Sequence, residues 1–320
     1  MIPATGPVEP QDDDGLVLNR TFTIDIEMRV NFFAKLNSIP QYEEYWIEVT
    51  MDGETTTFET DGENPLVFVQ STNRYYAYFS KINATQMGTE ISARLYGRDA
   101  EGNVFRGPVL TATIAQALLD TMANTGANEK LRILAANMLI YGGEAQRTFA
   151  PDTDPVDEGL TAGQAQLLEN LRTKEEPELT QTNSSIPDDS GVTLKTTVSL
   201  QSRVELSLTV KYLQNAENVK ILVKDDQGNL ITTLDTTKSG SAYKAIYNEI
   251  GTAGIHKQFI FKTQATIDGE TVEIGNDLIW SLEGFAKDRQ NNDAQMFAMC
   301  IATLKYCDSI DAYMQSITQQ

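Results

Sequence analysis

One pattern is written twice along this chain. Over residues 23–32, TIDIEMRVNF, the apolar side chains Ile24, Ile26, Met28, Val30 and Phe32 alternate with polar ones, and over residues 203–212, RVELSLTVKY, Val204, Leu206, Leu208, Val210 and Tyr212 do the same. A period of two marks a strand with one buried face, because successive side chains leave a strand on opposite sides. Further short strands are expected over 45–50, 55–60, 75–79 and 91–96 in the first copy, and over 220–224, 230–234, 243–247 and 258–266 in the second. Asp52-Gly53 has the chemistry of a two-residue hairpin turn, and Glu101-Gly102 and Asp268-Gly269 fall at matching places between strands. Each copy then ends in a helix, 128–149 and 293–314. Laid on one another, these pair Leu131 with Met296, Leu134 with Met299, Leu139 with Leu304, Tyr141 with Tyr306 and Gly142 with Cys307. Apolar residues recur there at steps of three and four, the stripe that an amphipathic helix lays on a core.

The fold expected is therefore α+β and β-dominated: two tandem homologous β-sandwich-like domains, each with a C-terminal packed helix. Their bounds are 15–150 and 191–320, and a length of 320 residues suits two domains. Residues 1–14, with Asp12, Asp13 and Asp14, read as a disordered acidic tail. Residues 151–190, acidic and then rich in Glu, Pro, Ser and Asn, read as a linker with a short helix over 162–173.

Charge narrows the function classes. Twenty-five Lys and Arg face 45 Asp and Glu, a formal net charge of −20, which repels nucleic-acid phosphates and anionic lipid. No window of about 18 apolar residues occurs, so no membrane insertion by a helix is expected. The first 15 residues have neither a basic nor an apolar signal-peptide region, so an export signal, if used, is removed or lies upstream.

Catalytic chemistry is poorly supplied. His256, in the turn-like Gly254-Ile255-His256-Lys257, is the only histidine, and Cys300 and Cys307 fall within the apolar pattern of a helix, as small buried hydrophobes do. Zinc ligand sets and phosphate-binding glycine loops are absent. A carboxylate-dependent glycoside hydrolase stays open as a lesser alternative, since 45 acids offer many accidental pairs. No cofactor is expected apart from calcium, for which Asp152, Asp154 and Asp157, with Glu158, supply hard oxygen ligands without the EF-hand spacing.

Aromatic residues are the remaining lead. Tyr42, Tyr45 and Trp46 form one cluster and Tyr75, Tyr76 and Tyr78 another. Alternation places Trp46 with Glu48 on the face opposite Tyr45, Ile47 and Val49, and separates Tyr75 and Phe79 from Tyr76 and Tyr78. Tyr42, Trp46, Tyr75, Tyr76 and Tyr78 are the candidate ligand-binding residues, as sugar platforms or as protein-contact anchors. Trp280, just before the second helical region, is expected to be buried.

The stretch 128–157, and above all the phrase MLIYGGEAQRTF at 138–149, resembles a module repeated in large secreted or surface-anchored proteins of Gram-positive gut bacteria. In that family a phrase similar to KINATQMGTEISARLY at 81–96 leads into the helix, and the likeness covers most of residues 24–157. The second copy departs from it, with Cys307-Asp308 for the two glycines and Ile310-Asp311 for the Ala-Gln pair. The resemblance implies an extracellular or cell-surface location and a non-catalytic accessory role. It supplies no ligand and no catalytic residue. The function expected is a binding or adhesion module that recognises a glycan or a host or bacterial surface protein, with a structural spacer as the alternative.

Overall fold

The computed structural model describes residues 10–23, 28–35, 42–80, 82–201 and 204–318. The chain divides into two units, Met1–Ala123 and Asn124–Gln320. In the first unit, β1 (Gln11–Asp12), β2 (Leu18–Thr23), β3 (Arg29–Lys35), β4 (Glu44–Met51), β5 (Glu54–Glu59), β6 (Val67–Val69), β7 (Arg74–Phe79), β8 (Ile91–Arg98), β9 (Val104–Arg106) and β10 (Leu110–Ala112) precede α1 (Ile114–Ala123). They form one sheet ordered β1-β9-β8-β4-β5, with β10 also on β8, and another ordered β2-β3-β7-β6.

The second unit opens with α2 (Glu129–Phe149) and α3 (Ala162–Leu171). There follow β11 (Ser184–Ile186), β12 (Thr193–Ser199), β13 (Val204–Lys211), β14 (Ala216–Lys224), β15 (Leu230–Asp235), β16 (Thr237–Ser239), β17 (Ala242–Ile250), β18 (Phe259–Ile267) and β19 (Glu270–Trp280). The unit ends with α4 (Leu282–Arg289) and α5 (Ala294–Thr318). Its sheets are ordered β11-β19-β18-β14-β15 and β12-β13-β17-β16, so lowering each strand number by ten reproduces the first unit's two orders. The outermost pairing differs, since β1 runs parallel to β9 whereas β11 runs antiparallel to β19. Among the described residues no helix is long and apolar enough to cross a membrane.

Local chemistry accounts for the hairpins. Asp52 and Gly53 both take left-handed backbone angles, φ 53° and 79°, and Asp268 and Gly269 take 50° and 85°. Two such residues in succession give the turn whose twist matches that of its flanking strands. Alternation then sends Ile47, Val49 and Leu95 from one sheet and Val30, Phe32 and Ala77 from the other into the core of the first unit. Leu206, Leu208, Val210, Ile221, Val223 and Phe261 do the same in the second. Each Val, Leu, Ile or Phe side chain buried in this way contributes about 1.5–3 kcal/mol.

The structure differs from the sequence expectations in four places. The strand expected over 23–32 is a pair, β2 and β3, with Thr23 opposite Arg29 and with residues 24–27 outside those described. The second copy likewise starts with a pair, β12 and β13. Each copy also carries a short helix, α1 or α4, ahead of its long one.

Second, the repeat pattern predicts that α2 packs on the first copy's sheets. It belongs instead to the unit that begins at Asn124, where it lies antiparallel to α5. Asn128 Nδ2 donates to Ser316 Oγ at 3.1 Å at one end of the pair, and Gln295 donates to the Arg147 carbonyl at the other. Tyr141 and Tyr306, equivalent positions of the two copies, stack midway at 5.0 Å. The Tyr141 hydroxyl donates to the Leu200 carbonyl at 3.1 Å. The buried side of α2 is rich in small residues, Ala135, Ala136 and Ala145, which lets a neighbouring helix approach closely.

Third, the acidic tail is not free at its end. Asp12 accepts from Arg106 Nε at 2.7 Å, and Asp13 accepts from the Tyr42 hydroxyl. The hydrogen bond and charge of Arg106 hold the Asp12 carboxyl below the usual carboxylate range. Residues 1–9 lie outside those described.

Fourth, the polar stretch 151–190 is laced onto the second unit by side-chain bonds. Asn137 and Thr173 exchange bonds of 2.8 and 3.0 Å, Lys305 reaches Glu176 at 2.8 Å, and Glu283 accepts from the backbone and the hydroxyl of Thr180 at 3.1 Å. Ser281 N donates to Asn183 Oδ1 at 2.8 Å, and β11 adds itself to β19. Polar residues that looked like solvated linker are therefore partners for buried polar groups.

Candidate functional site

Trp46 leaves β4 on the side away from the core, with Glu48 and Thr50, while Ile47 and Val49 point inward. In register it stands beside Tyr96 of β8 on one flank and Glu59 of β5 on the other. The Tyr96 ring stacks parallel to the indole at 5.2 Å, and indole Nε1 donates to Glu48 Oε1 at 3.2 Å. Arg98, held by Glu44 at 2.8 Å, sets its guanidinium 5.7 Å from the indole centre. The ring is thus fixed in orientation by neighbours on the same sheet face, and that pre-orientation lowers the ordering cost of any contact made to it.

A cleft of about 740 Å³ opens on the β5 side of Trp46, away from Tyr96. Its lining comprises Trp46, Tyr45, Thr57, Thr60, the carboxylates of Glu43, Glu44, Glu48, Glu59 and Asp61, and the paired Arg98. Five carboxylates against one guanidinium make it a place for hydroxyl and amine donors and a poor one for anions. Burial, then the charge of Glu48, pushes the Tyr96 phenol above its ordinary range.

The other aromatic candidates do not join this face. Tyr42 is 9% exposed, its ring 5.5 Å from Phe105 and seated where Gly97 has no side chain, since a Cβ there would stand 2.5 Å from the ring. It is a core residue, not a platform. Tyr75 turns inward, between Tyr45 at 4.8 Å and Phe68 at 4.9 Å. Tyr76 and Tyr78 do point outward, stacked at 5.6 Å, but from the β2-β3-β7-β6 sheet. There Arg29 covers Tyr78 at 4.9 Å, and Arg74 covers Phe33 at 4.3 Å. Trp46 and the Tyr76–Tyr78 pair therefore occupy the outer faces of two different sheets. The partnership of Tyr96, Glu59 and Arg98 with Trp46 has no signal in local sequence. Alternation through 91–96 gave the face of Tyr96, but only strand register placed it beside the indole.

The acids of the 150s do not form a calcium cage. Arg147 Nη2 holds Asp157 and Glu158, each at 2.7 Å, and Nη1 reaches Glu144 at 2.9 Å, while Asp152 and Asp154 are exposed. Among the described residues no three acidic, histidine or cysteine side chains converge as a metal site. Gly143 makes room for the Asp157 carboxylate, because a Cβ there would lie 2.0 Å from its oxygen.

The equivalent of Gly143 in the second copy is Asp308, and it serves His256. Asp308 Oδ1 lies 2.6 Å from Nε2, and the buried Glu283 lies 3.0 Å from Nδ1. Burial pulls the His256 pKa down, but the bonds and charges of Asp308 and Glu283 outweigh it, leaving the pKa above the ordinary histidine range. Burial raises that of Glu283, but His256 and Thr180 overcome this and lower it. Stability from the histidine is thus complete below about pH 6.5 and fades as pH rises through the folded value. That from Glu283 is complete above about pH 4.3 and fades as pH falls. We expect His256→Gln to flatten the alkaline limb of a stability-against-pH curve by about 1 kcal/mol or less, because His256 is 43% exposed and screened. Urea titrations from pH 5 to 9 check this; an unchanged alkaline limb would contradict it. Cys300 and Cys307 are buried and unbridged, and loss of solvation pushes both thiols up to about 12.

No family model and no curated protein matches the chain. A solved structure similar to it is the crystal structure of a tetra-tandem repeat in the extending region of a large adhesion protein. It is 12% identical with a TM-score of 0.19, over 82% of this chain and 48% of that one. The chain spans about half the length of that structure.

Proposed function

We propose that the chain consists of two copies of one sandwich-plus-helix block and acts as a non-catalytic, surface-exposed binding module, with a neutral or amino sugar seated against Trp46. One observation carries the site: an outward indole, oriented by Tyr96 and Glu48, walls a cleft of about 740 Å³ rimmed by carboxylates and threonine hydroxyls. Sugars present an apolar C–H face to a ring and hydroxyls to the groups around it, which this cleft matches. A protein partner would call for a flatter apolar patch. The likeness of residues 128–157 to modules of bacterial surface proteins supports an extracellular setting, and the matching strand orders support duplication.

Trp46→Ala is expected to weaken binding of a neutral or amino-sugar oligosaccharide up to about tenfold, since losing a ring contact of up to about 1.5 kcal/mol has that effect. A glycan array followed by calorimetry on both proteins reads it. Equal binding by the variant would remove the site. Absence of binding to every glycan would favour a spacer, and release of reducing sugar by the wild type would overturn the non-catalytic reading.

A further inference from the structure

The second unit carries a cleft of different chemistry. Between the β13–β14 connection and the β16–β17 hairpin lies a cavity of about 940 Å³, within the size range of small-molecule sites. Tyr212 stands at its rim. At 72% exposure it is the most exposed large hydrophobic side chain among the described residues, and its neighbour Leu213 is buried. Its backbone is left-handed, with φ 65°. Asn215 and Asn218, nearby at 50° and 49°, tolerate that region, but a bulky ring does not. Folding therefore holds Tyr212 in a strained conformation with its ring in water, where burial returns little.

Charge distinguishes this cleft further. Lys211 and Lys238 both line it, and among the described residues neither is in a salt bridge. The Lys238 ammonium sits 5.6 Å from the Tyr243 ring, whose hydroxyl donates to the Ala216 carbonyl at 3.4 Å. Glu217 is the single carboxylate of the lining, so the cleft is net positive in a chain of net charge −20.

We propose that this cleft binds a carboxylate-bearing sugar, stacked on Tyr212, with its acid group between Lys211 and Lys238 and its hydroxyls on Asn215 and Ser241. The proposal shares the glycan-binding reading of the Trp46 cleft but neither its residues nor its ligands. Acidic sugars belong here and neutral or amino sugars there, so each reading fails on its own ligand.

Calorimetry and saturation-transfer NMR on the full chain test it, with 3′-sialyllactose and trigalacturonate as probes and lactose as the neutral control. At least one acidic probe is expected to bind, more weakly as salt rises. Tyr212→Ala should weaken binding at least tenfold and Lys238→Gln several-fold. Tyr212→Gly provides a check that does not depend on ligand: release of strain should raise the thermal midpoint by roughly 2–4 °C while binding is lost. The proposal is overturned if neither acid binds, if lactose displaces the bound acidic probe, if Tyr212→Ala binds undiminished, or if inorganic phosphate competes as well as the sugar acids.

Discussion

Leu139→Asp should lower the stability of the unit formed by residues 124–320 by at least about 4 kcal/mol and leave the unit before it unchanged. Leu139 is fully buried on α2, so the substitution removes an aliphatic side chain and places an unpaired carboxylate in the core. A loss of that size is a large fraction of the roughly 5–15 kcal/mol that an ordinary domain has. Two tryptophans make the result readable by fluorescence, because Trp46 lies in the first unit and Trp280, 2% exposed, in the second. In Trp46→Phe and Trp280→Phe backgrounds, urea titrations then report each unit alone. The Trp280 transition should move and the Trp46 transition should stay. If the Trp46 transition moves instead, α2 belongs energetically to the first copy's sheets, as the repeat pattern had suggested. Leu139→Met, close in volume, should cost under about 1.5 kcal/mol and controls for nonspecific damage.

Asn276→Ala should cost about 3 kcal/mol. Asn276 is buried on β19 and satisfies an edge strand of the facing sheet. Its Oδ1 accepts from Leu194 N at 2.5 Å, and its Nδ2 donates to the Leu194 carbonyl at 3.0 Å and to Ser185 Oγ at 2.8 Å. Alanine strands two buried backbone groups, each worth about 1–3 kcal/mol when unpaired. The shift in urea midpoint at constant slope measures it. A loss below about 1 kcal/mol would mean that water replaces the amide and the two sheets part locally. Asn276→Asp, which keeps the acceptor but not the donor, should remain well below the wild type.

Much of this fold could be read from the residue order. The face of Trp46 and the separation of Tyr75 from Tyr76 and Tyr78 follow from alternation. The Asp-Gly hairpins follow from the two left-handed residues each turn demands. Tyr42 could not be placed in this way, because its burial depends on Gly97, a residue 55 positions on whose missing side chain leaves the space. Nor could the partners of Asp157 and Asp308 be placed. Asp157 lies in an acidic run and Asp308 in an apolar helix, and neither setting tells that one neutralises Arg147 and the other holds His256.

Periodicity, turn chemistry and the doubling of both were determined by the sequence alone, since each depends on backbone geometry within a few residues. Tertiary structure alone decided that α2 pairs with α5, that residues 151–190 lie along the second unit, and that Trp46 stands beside Tyr96 and Glu59. Local pattern tells a segment which face to hide. What hides it is set by surfaces assembled from residues far away in the chain, and those exist only once the sheets and helices have met.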